Sequence, residues 1–196
     1  MTSLDRALST LLWLLALIFI AGLAHILTIF YLPTHFAKVP METFAAFAKQ
    51  SQLTLLPQAA PGASLTPFAD PATVQGICTF DLAQGPLHVH GDVDRDRLLT
   101  MSFRTPAGMV FYSLTNRAAQ KGKLDILLLN TAQLEALEAE DDAQDEGAPA
   151  QDLRLLSPTE KGFVLLSALA NFPSETADAE QRVKAFTCET QEPATD

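Results

Sequence analysis

The chain has 196 residues, of which 48% are hydrophobic and 18% are charged. It contains 13 Lys and Arg residues against 23 Asp and Glu residues, so its formal net charge at pH 7 is −10. This balance excludes a basic nucleic-acid-binding surface, because phosphate recognition requires clustered Lys and Arg. The presence of only 2 cysteines excludes a disulfide-dense miniprotein, and the hydrophobic content excludes a wholly disordered chain.

Residues 7–32 contain no charged side chain. A helix of this length, at about 1.5 Å per residue, is long enough to cross the roughly 30 Å hydrocarbon core of a bilayer. We therefore predict a transmembrane helix over 7–32, ended by Pro33 and preceded by a short N-terminal segment, residues 1–6. The alternative is a cleaved signal peptide ending near Ala24, but the apolar run continues well beyond that residue.

The positive charges that flank the span are nearly balanced, with Arg6 on one side and Lys38 and Lys49 on the other. Cys78 and Cys188 are the only cysteines, and a lone pair of this kind favours a disulfide in an oxidising compartment. We therefore expect a single-pass membrane protein with residues 1–6 in the cytoplasm and the C-terminal domain on the other side, in a periplasm-like space. The alternative is two reduced thiols that pack as small apolar groups.

Residues 33–72 are predicted to link the membrane span to a folded domain. The composition of residues 41–50 indicates a short juxtamembrane helix. Four prolines then favour an extended connector: Pro57, Pro61, Pro67 and Pro71. The domain is expected to begin near Thr73 and to extend to residue 190, followed by a disordered C-terminus over 191–196.

Within this domain, short apolar runs bounded by turn residues predict strands, and residues 97–104 alternate as expected of a strand with one buried face. The predicted strands cover 76–82, 86–90, 97–104, 109–115, 123–129, 153–156 and 162–170. Helices are predicted over 131–138, capped by Thr131, and over 175–186, capped by Ser174. Between them, residues 138–152 are acidic and predict a solvated loop.

These elements together predict a single N-terminal transmembrane helix followed by a mainly antiparallel, sandwich-like β domain with peripheral helices. Cys188, near the end of the domain, would be joined to Cys78 in its first strand. The long loop closed in this way would stabilise the fold by roughly 4–5 kcal/mol on the chain-entropy model.

The order of several segments resembles the short, membrane-anchored bacterial members of the domain-of-unknown-function 1254 family. The matching segments are Cys78-Thr79-Phe80-Asp81-Leu82, Gly85-Pro86-Leu87, the alternating strand at 98–104, Phe111-Tyr112-Ser113-Leu114-Thr115-Asn116-Arg117 and the closing strand and helix up to Cys188. The resemblance covers about residues 73–188 and the anchor. Met101 stands where the family usually has an aromatic residue.

This resemblance implies a β-rich fold and supplies no catalytic residue. Because the members that it resembles are bacterial and membrane-anchored, the expected location is the bacterial inner membrane, with the C-terminal domain in the periplasm. Longer relatives in the family carry a second domain, the domain of unknown function 1214, and this chain is expected to end where that domain would begin. A separately encoded protein with the second domain is therefore an expected partner.

The segment His88-Val89-His90-Gly91-Asp92 is the best local candidate for chemistry. In a strand, residues two positions apart point to the same face, so His88 and His90 could bind one metal ion, with Asp92 as a third ligand if the strand continues past Gly91. The alternative is two solvent-facing histidines opposite buried Leu87 and Val89.

Arg104, Asn116 and Arg117 are candidate contacts for a small ligand. An arginine guanidinium suits carboxylate and phosphate groups, and Asn116 with Arg117 follows a predicted strand. The alternative is a turn that these residues close. The chain shows no nucleophile elbow, phosphate loop or dinucleotide fingerprint, so no cofactor is expected.

Three functions remain in consideration. The first, which the single span and the lack of a catalytic motif favour, is an accessory or assembly subunit that docks on another membrane or periplasmic protein. The second is a periplasmic module that binds a small ligand between its sheets through Arg104 and Arg117. The third is a metal-dependent enzyme that uses His88 and His90.

Overall fold

A computed structural model describes residues 3–36, 40–60, 65, 69–143 and 152–191 of the chain. The chain separates into two compact units, residues 1–38 and 39–196. The first unit contains one helix, α1 (Ser3–Phe36), whose segment Ser3–Leu32 is long and apolar enough to cross a membrane. None of this span is buried, and its large side chains are exposed on all sides. An apolar surface of this kind suits a hydrocarbon environment.

The end of α1 differs from the expectation. Pro33 was predicted to stop the helix, but α1 continues to Phe36. Proline removes one backbone N–H and disturbs the preceding turn, yet apolar helices of this type tolerate it when neighbouring groups satisfy the freed carbonyl.

The second unit contains nine strands and three helices among the described residues. The strands are β1 (Thr54–Leu55), β2 (Thr73–Asp81), β3 (Leu87–Asp92), β4 (Leu99–Arg104), β5 (Val110–Thr115), β6 (Lys123–Leu129), β7 (Leu153–Leu156), β8 (Lys161–Leu169) and β9 (Phe186–Thr190). The helices are α2 (Pro40–Phe44), α3 (Thr131–Ala143) and α4 (Thr176–Lys184).

The strands form two sheets. The five-stranded sheet has the order β1-β2-β8-β4-β5, and the four-stranded sheet has the order β7-β6-β3-β9. Neighbouring strands are antiparallel except for β6 and β7, which are parallel. A parallel pair requires a crossover connection, and α3 lies between these two strands in the sequence. The predicted β domain with peripheral helices is confirmed.

The main core joins the inward faces of the two sheets. On β4, the alternating residues Leu99, Met101 and Phe103 are buried, as predicted, while the residues between them are only partly buried. On β3, Leu87 and Val89 are buried. Cys78 of β2 and Cys188 of β9 form a disulfide with Cα atoms 6.6 Å apart, so the bond connects the five-stranded sheet to the four-stranded sheet.

A second apolar cluster corrects the predicted start of the domain. Phe44 and Leu56 pack with Ile77 and Phe163, whose chain neighbours Cys78 and Val164 belong to the main core. Because side chains alternate along a strand, this second cluster covers the opposite face of the five-stranded sheet. The domain therefore begins before Thr73, since Phe44 and Leu56 of the N-terminal segment cover the outer apolar side of β2 and β8 and keep Ile77 and Phe163 buried.

The elements of this segment also differ from the prediction. The helix expected over 41–50 is only the short α2, and a turn follows it. Part of the expected extended connector forms β1, which pairs with β2 through Thr54 opposite Ile77 and Leu55 opposite Gly76.

Two helix boundaries were placed wrongly. Asn130, not Thr131, caps α3: its Oδ1 accepts a 2.9 Å hydrogen bond from the Gln133 N–H, and Gln133 Oε1 accepts one from the Asn130 N–H. This reciprocal pair is a capping box. Ser174 lies in a 3₁₀ turn, Pro173–Glu175, and α4 begins after it without a side-chain cap.

The predicted acidic loop over 138–152 is helical in its first part, because α3 extends to Ala143. Residues 144–151 lie outside the described part of the chain, as do residues 192–196 of the predicted disordered C-terminus. At the far end of the loop, Arg154 Nη1 and Asp141 Oδ2 are 2.5 Å apart. The hydrogen bond and charge of Asp141 raise the pKa of Arg154.

The disulfide yields a testable prediction. Replacing Cys78 with Ala should lower the free energy of unfolding by about 4–5 kcal/mol, because the bond closes a loop with a sequence separation of 110. Thermal or denaturant unfolding of the detergent-solubilised full-length protein measures this change. Reductant should lower the stability of the wild type but not that of the Cys78→Ala variant. A wild type whose stability is the same with and without reductant would contradict the disulfide.

Candidate functional site

His88 and His90 lie on the outer face of the four-stranded sheet. Their neighbours Leu87 and Val89 point into the core, so the strict alternation of β3 turns both imidazoles away from it. Both histidines are partly buried, and their ring centroids are 4.5 Å apart. The prediction that His88 and His90 lie on the same face of their strand is therefore confirmed.

The strands on either side of β3 supply carboxylates to the same face. Glu189 of β9 is directly opposite His88 in the antiparallel register. Asp125 of β6 is directly opposite His90 and reaches diagonally to His88, where its Oδ1 lies 2.6 Å from His88 Nε2. An ionised carboxylate only accepts hydrogen bonds, so this contact assigns a proton to His88 Nε2. In the neutral form of the ring, Nδ1 is then the nitrogen with the lone pair.

His88, His90 and Glu189 form a group whose potential ligand atoms all lie within 4.8 Å of one another. In the described part of the chain, His90 Nδ1 is a buried side-chain nitrogen without a hydrogen-bond partner. Buried polar atoms are usually satisfied by protein, water or an ion. Two imidazoles and a carboxylate are ligands that borderline divalent metals accept.

Asp92 does not complete this group. β3 continues through Gly91, so Asp92 is on the same face as the histidines, but it is exposed, pairs with Lys123 at the end of the strand, and is absent from the cluster. The third candidate ligand is instead Glu189 of β9. The sequence pattern predicts no strand here, because it places Phe186 at the end of a helix and assigns no structure to residues 187–190.

Gly91 fits the strand for a packing reason. A Cβ atom at this position would lie 2.7 Å from the ring of Phe186, the residue opposite it on β9. The absence of a side chain therefore lets Phe186 pack against β3 and allows the strand to continue to Asp92.

The three residues predicted to contact a small ligand are not brought together. Arg104 is opposite Val110 at one end of the β4–β5 pair, whereas Arg117 comes just after Thr115, which is opposite Thr100 at the other end. The space between the sheets is filled by fully buried side chains, among them Phe80, Phe103, Leu128 and Leu166. A ligand held between the sheets by both arginines does not fit this arrangement.

Asn116 has a structural role. It is buried, and its Nδ2 donates hydrogen bonds of 3.0 Å to the Asp94 carbonyl and 2.9 Å to the Arg95 carbonyl. Both amide hydrogens are therefore used to hold the loop between β3 and β4. Arg117, in contrast, is exposed.

Arg104 lies on the outer face of the five-stranded sheet, where its Nε donates a 3.1 Å hydrogen bond to Ser102 Oγ. Burial lowers the pKa of Arg104 from its ordinary value. A guanidinium nevertheless remains charged in proteins at neutral pH, so this position is a half-buried cation.

A further surface feature is the β5 side of the five-stranded sheet, one of its two edges. β5 is the last strand of the order, and an apolar run lies at its start, with Met109, Val110 and Tyr112 67%, 44% and 38% exposed. An edge strand has unpaired backbone N–H and C=O groups that another chain can pair with. We call residues 109–112 the β5 edge.

Comparison with known proteins finds solved structures with a similar fold. No protein-family model matches the sequence, and no curated protein matches it significantly. The crystal structure of the VPA0106 protein from Vibrio parahaemolyticus is similar with a TM-score of 0.53 and 11% identity, over 81% of this chain and 38% of that one. An uncharacterised protein from Burkholderia cenocepacia gives a TM-score of 0.47 and 12% identity, over 81% and 40%. The chain thus spans about two-fifths of the length of these solved structures.

The role assigned to Asn116 can be tested by substitution. Asn116→Ala should lower the free energy of unfolding by about 1–3 kcal/mol, because two carbonyl groups lose their donor in a buried place. Arg117→Ala, at the adjacent exposed position, is the matched control and should change stability by less than about 0.5 kcal/mol. Denaturant unfolding measures both. Equal effects of the two substitutions would contradict a structural role specific to Asn116.

Proposed function

We propose that this protein is a membrane-anchored periplasmic accessory or assembly subunit of a bacterial envelope complex, without catalysis of its own. The β5 edge is the observation that carries this proposal. It combines exposed apolar side chains with an unpaired strand edge, the two features that recognition by added β-strands uses.

Location in the membrane is supported by α1, whose span is apolar all round and has no buried face within its own unit. The orientation is supported by the disulfide between Cys78 and Cys188, since such bonds persist in oxidising compartments. We therefore propose an inner-membrane location with residues 1–6 in the cytoplasm and the sheet domain in the periplasm.

The proposed partner is a separately encoded envelope protein that adds a strand to β5. The region of similar fold makes up 38% of the VPA0106 chain, so this fold occurs together with further structure in at least one other protein. The resemblance to the domain-of-unknown-function 1254 family makes a protein with the domain of unknown function 1214 the first candidate.

The proposed orientation predicts the behaviour of a fused reporter. Alkaline phosphatase, which is active only in the periplasm, should be active when fused after Asp196. The same enzyme fused after Arg6, before the membrane span, should be inactive and serves as the control. An inactive phosphatase after Asp196, in a fusion that is expressed intact, would reverse the orientation and remove its support for the disulfide.

The proposed docking site predicts a selective loss of assembly. We expect gentle detergent extraction of the wild type to recover a membrane complex, and a variant with Met109→Glu and Val110→Glu should lose it, because two charges at the β5 edge oppose apolar contact. The matched control carries Leu153→Glu and Leu156→Glu on β7, the edge of the other sheet, where both leucines are also exposed.

Both double variants add the same charge, so a general electrostatic effect would alter them equally. Native electrophoresis of the extracts measures the size of the complex, and thermal unfolding shows whether each variant is folded. The proposal requires the wild type and the β7 variant to migrate as the complex, and the β5 variant to migrate as a single chain. A wild type extracted as a single chain, or equal loss in both variants, would contradict it.

A further inference from the structure

We infer that the outer face of the four-stranded sheet holds one divalent transition-metal ion, bound by His88, His90 and Glu189 and supported by Asp125. This site is independent of the proposed docking at the β5 edge, which belongs to the other sheet. The chemical class of the ion is that of zinc, because two imidazole nitrogens and one carboxylate oxygen suit a borderline ion better than a hard ion such as calcium.

The backbone brings the three ligands together before any metal is present. His88 and His90 are two positions apart on β3, and Glu189 is directly opposite His88 on β9. Their potential ligand atoms lie within 4.8 Å, whereas bonds of about 2.0–2.1 Å to a tetrahedral ion place ligand atoms roughly 3.3 Å apart. The exposed Glu189 side chain is free to rotate toward the two imidazoles, so it is the ligand whose movement would shorten these separations.

Asp125 acts on His88 through a hydrogen bond and is a positioning residue. Its Oδ1 lies 2.6 Å from His88 Nε2, which fixes the ring and leaves Nδ1 as the coordinating atom. Metal-bound histidines commonly donate their second ring N–H to a carboxylate in this manner.

The second histidine supplies an independent observation. His90 Nδ1 is buried and has no partner among the described residues, although the neighbouring ring of His88 is hydrogen-bonded to Asp125. A bound ion would give this nitrogen a partner. It would also balance the two negative charges that Asp125 and Glu189 place on this face.

The disulfide limits the movement of the third ligand, Glu189. Cys188 precedes Glu189 and points into the core, where it is bonded to Cys78 of the other sheet. β9 is an edge strand, and both this bond and the pairing with β3 help to hold Glu189 beside the histidines. Three protein ligands leave a fourth position of a tetrahedral ion open to water.

The test uses the detergent-solubilised full-length protein after treatment with a chelator. Titration with Zn²⁺ in competition with a chromophoric chelator should give one high-affinity ion per chain. Glu189→Gln and His90→Gln should each weaken binding by at least about 10-fold, and Asp125→Asn should weaken it by about 10–100-fold. Asp92→Asn is the matched control: it removes a carboxylate from the same face and should leave the affinity unchanged within about twofold, since it is not a ligand.

Substitution with Co²⁺ gives a second readout, because a tetrahedral cobalt site absorbs visible light. The absorption should be present in the wild type and in Asp92→Asn and be lost in Glu189→Gln. Thermal unfolding without metal verifies that each variant is folded.

Three outcomes would overturn the inference. The first is the absence of stoichiometric binding by the folded wild type. The second is a loss of affinity in Asp92→Asn as large as that in Glu189→Gln, which would make Asp92 the ligand. The third is unchanged binding after both His88→Gln and His90→Gln, which would place the ion elsewhere on the chain.

Discussion

The contact between the inward faces of the two sheets is the interaction on which the rest of this structure depends. Residues from both sheets, among them Phe80, Phe103 and Leu128, are almost completely removed from solvent there. Burial of such side chains is the main favourable contribution to folding, at about 25 cal/mol per Å² of apolar surface. Since side chains alternate along each strand, the demand for an apolar inner face also decides which residues must lie outside.

β3 and β9 show how this constraint determines the site. On β3, burial of Leu87 and Val89 forces His88 and His90 to the outer face. On β9, Cys188 is directed inward to the disulfide, so Glu189 is directed outward beside His88. Core packing therefore turns His88, His90 and Glu189 to the outer face, and the register between β3 and β9 brings them next to one another.

Local sequence patterns predicted much of the fold because the periodicity within each element reflects its burial. The strand expected over 123–129 has those bounds in the structure, and the strand over 153–156 is also confirmed. Phe186 falls within the helix predicted over 175–186. In the structure Ala179 and Val183 lie on α4 and are buried, but the chain turns at Ala185 and Phe186 begins β9. The short segment around Phe186 fits the end of a helix as well as the start of a strand. Only its pairing with β3, which the local sequence does not show, makes it a strand.

The site could be predicted only in part for the same reason, because local patterns do not show which strands pair. His88 and His90 could be found together because their relation is local, whereas Glu189 and Asp125 reach them through pairings between strands distant in sequence. Asn116 illustrates the opposite error: a polar residue after a strand was interpreted as a ligand contact, but its donors are used by backbone carbonyls of a loop 21 and 22 residues away. No periodicity in the sequence encodes such contacts.

The two proposed surfaces lie on different sheets, which makes them separable. The β5 edge ends the five-stranded sheet, and the histidine cluster is centred on β3 within the other one. The disulfide is a covalent cross-link between these sheets, and among the described strands β9 pairs with β3 only. Its loss should therefore affect the position of Glu189 more than that of β5, which holds neither cysteine, pairs with β4 and packs Leu114 into the main core. Mutations at sites without shared partners act additively on stability, whereas a change at Cys78 should couple to metal affinity through the position of β9.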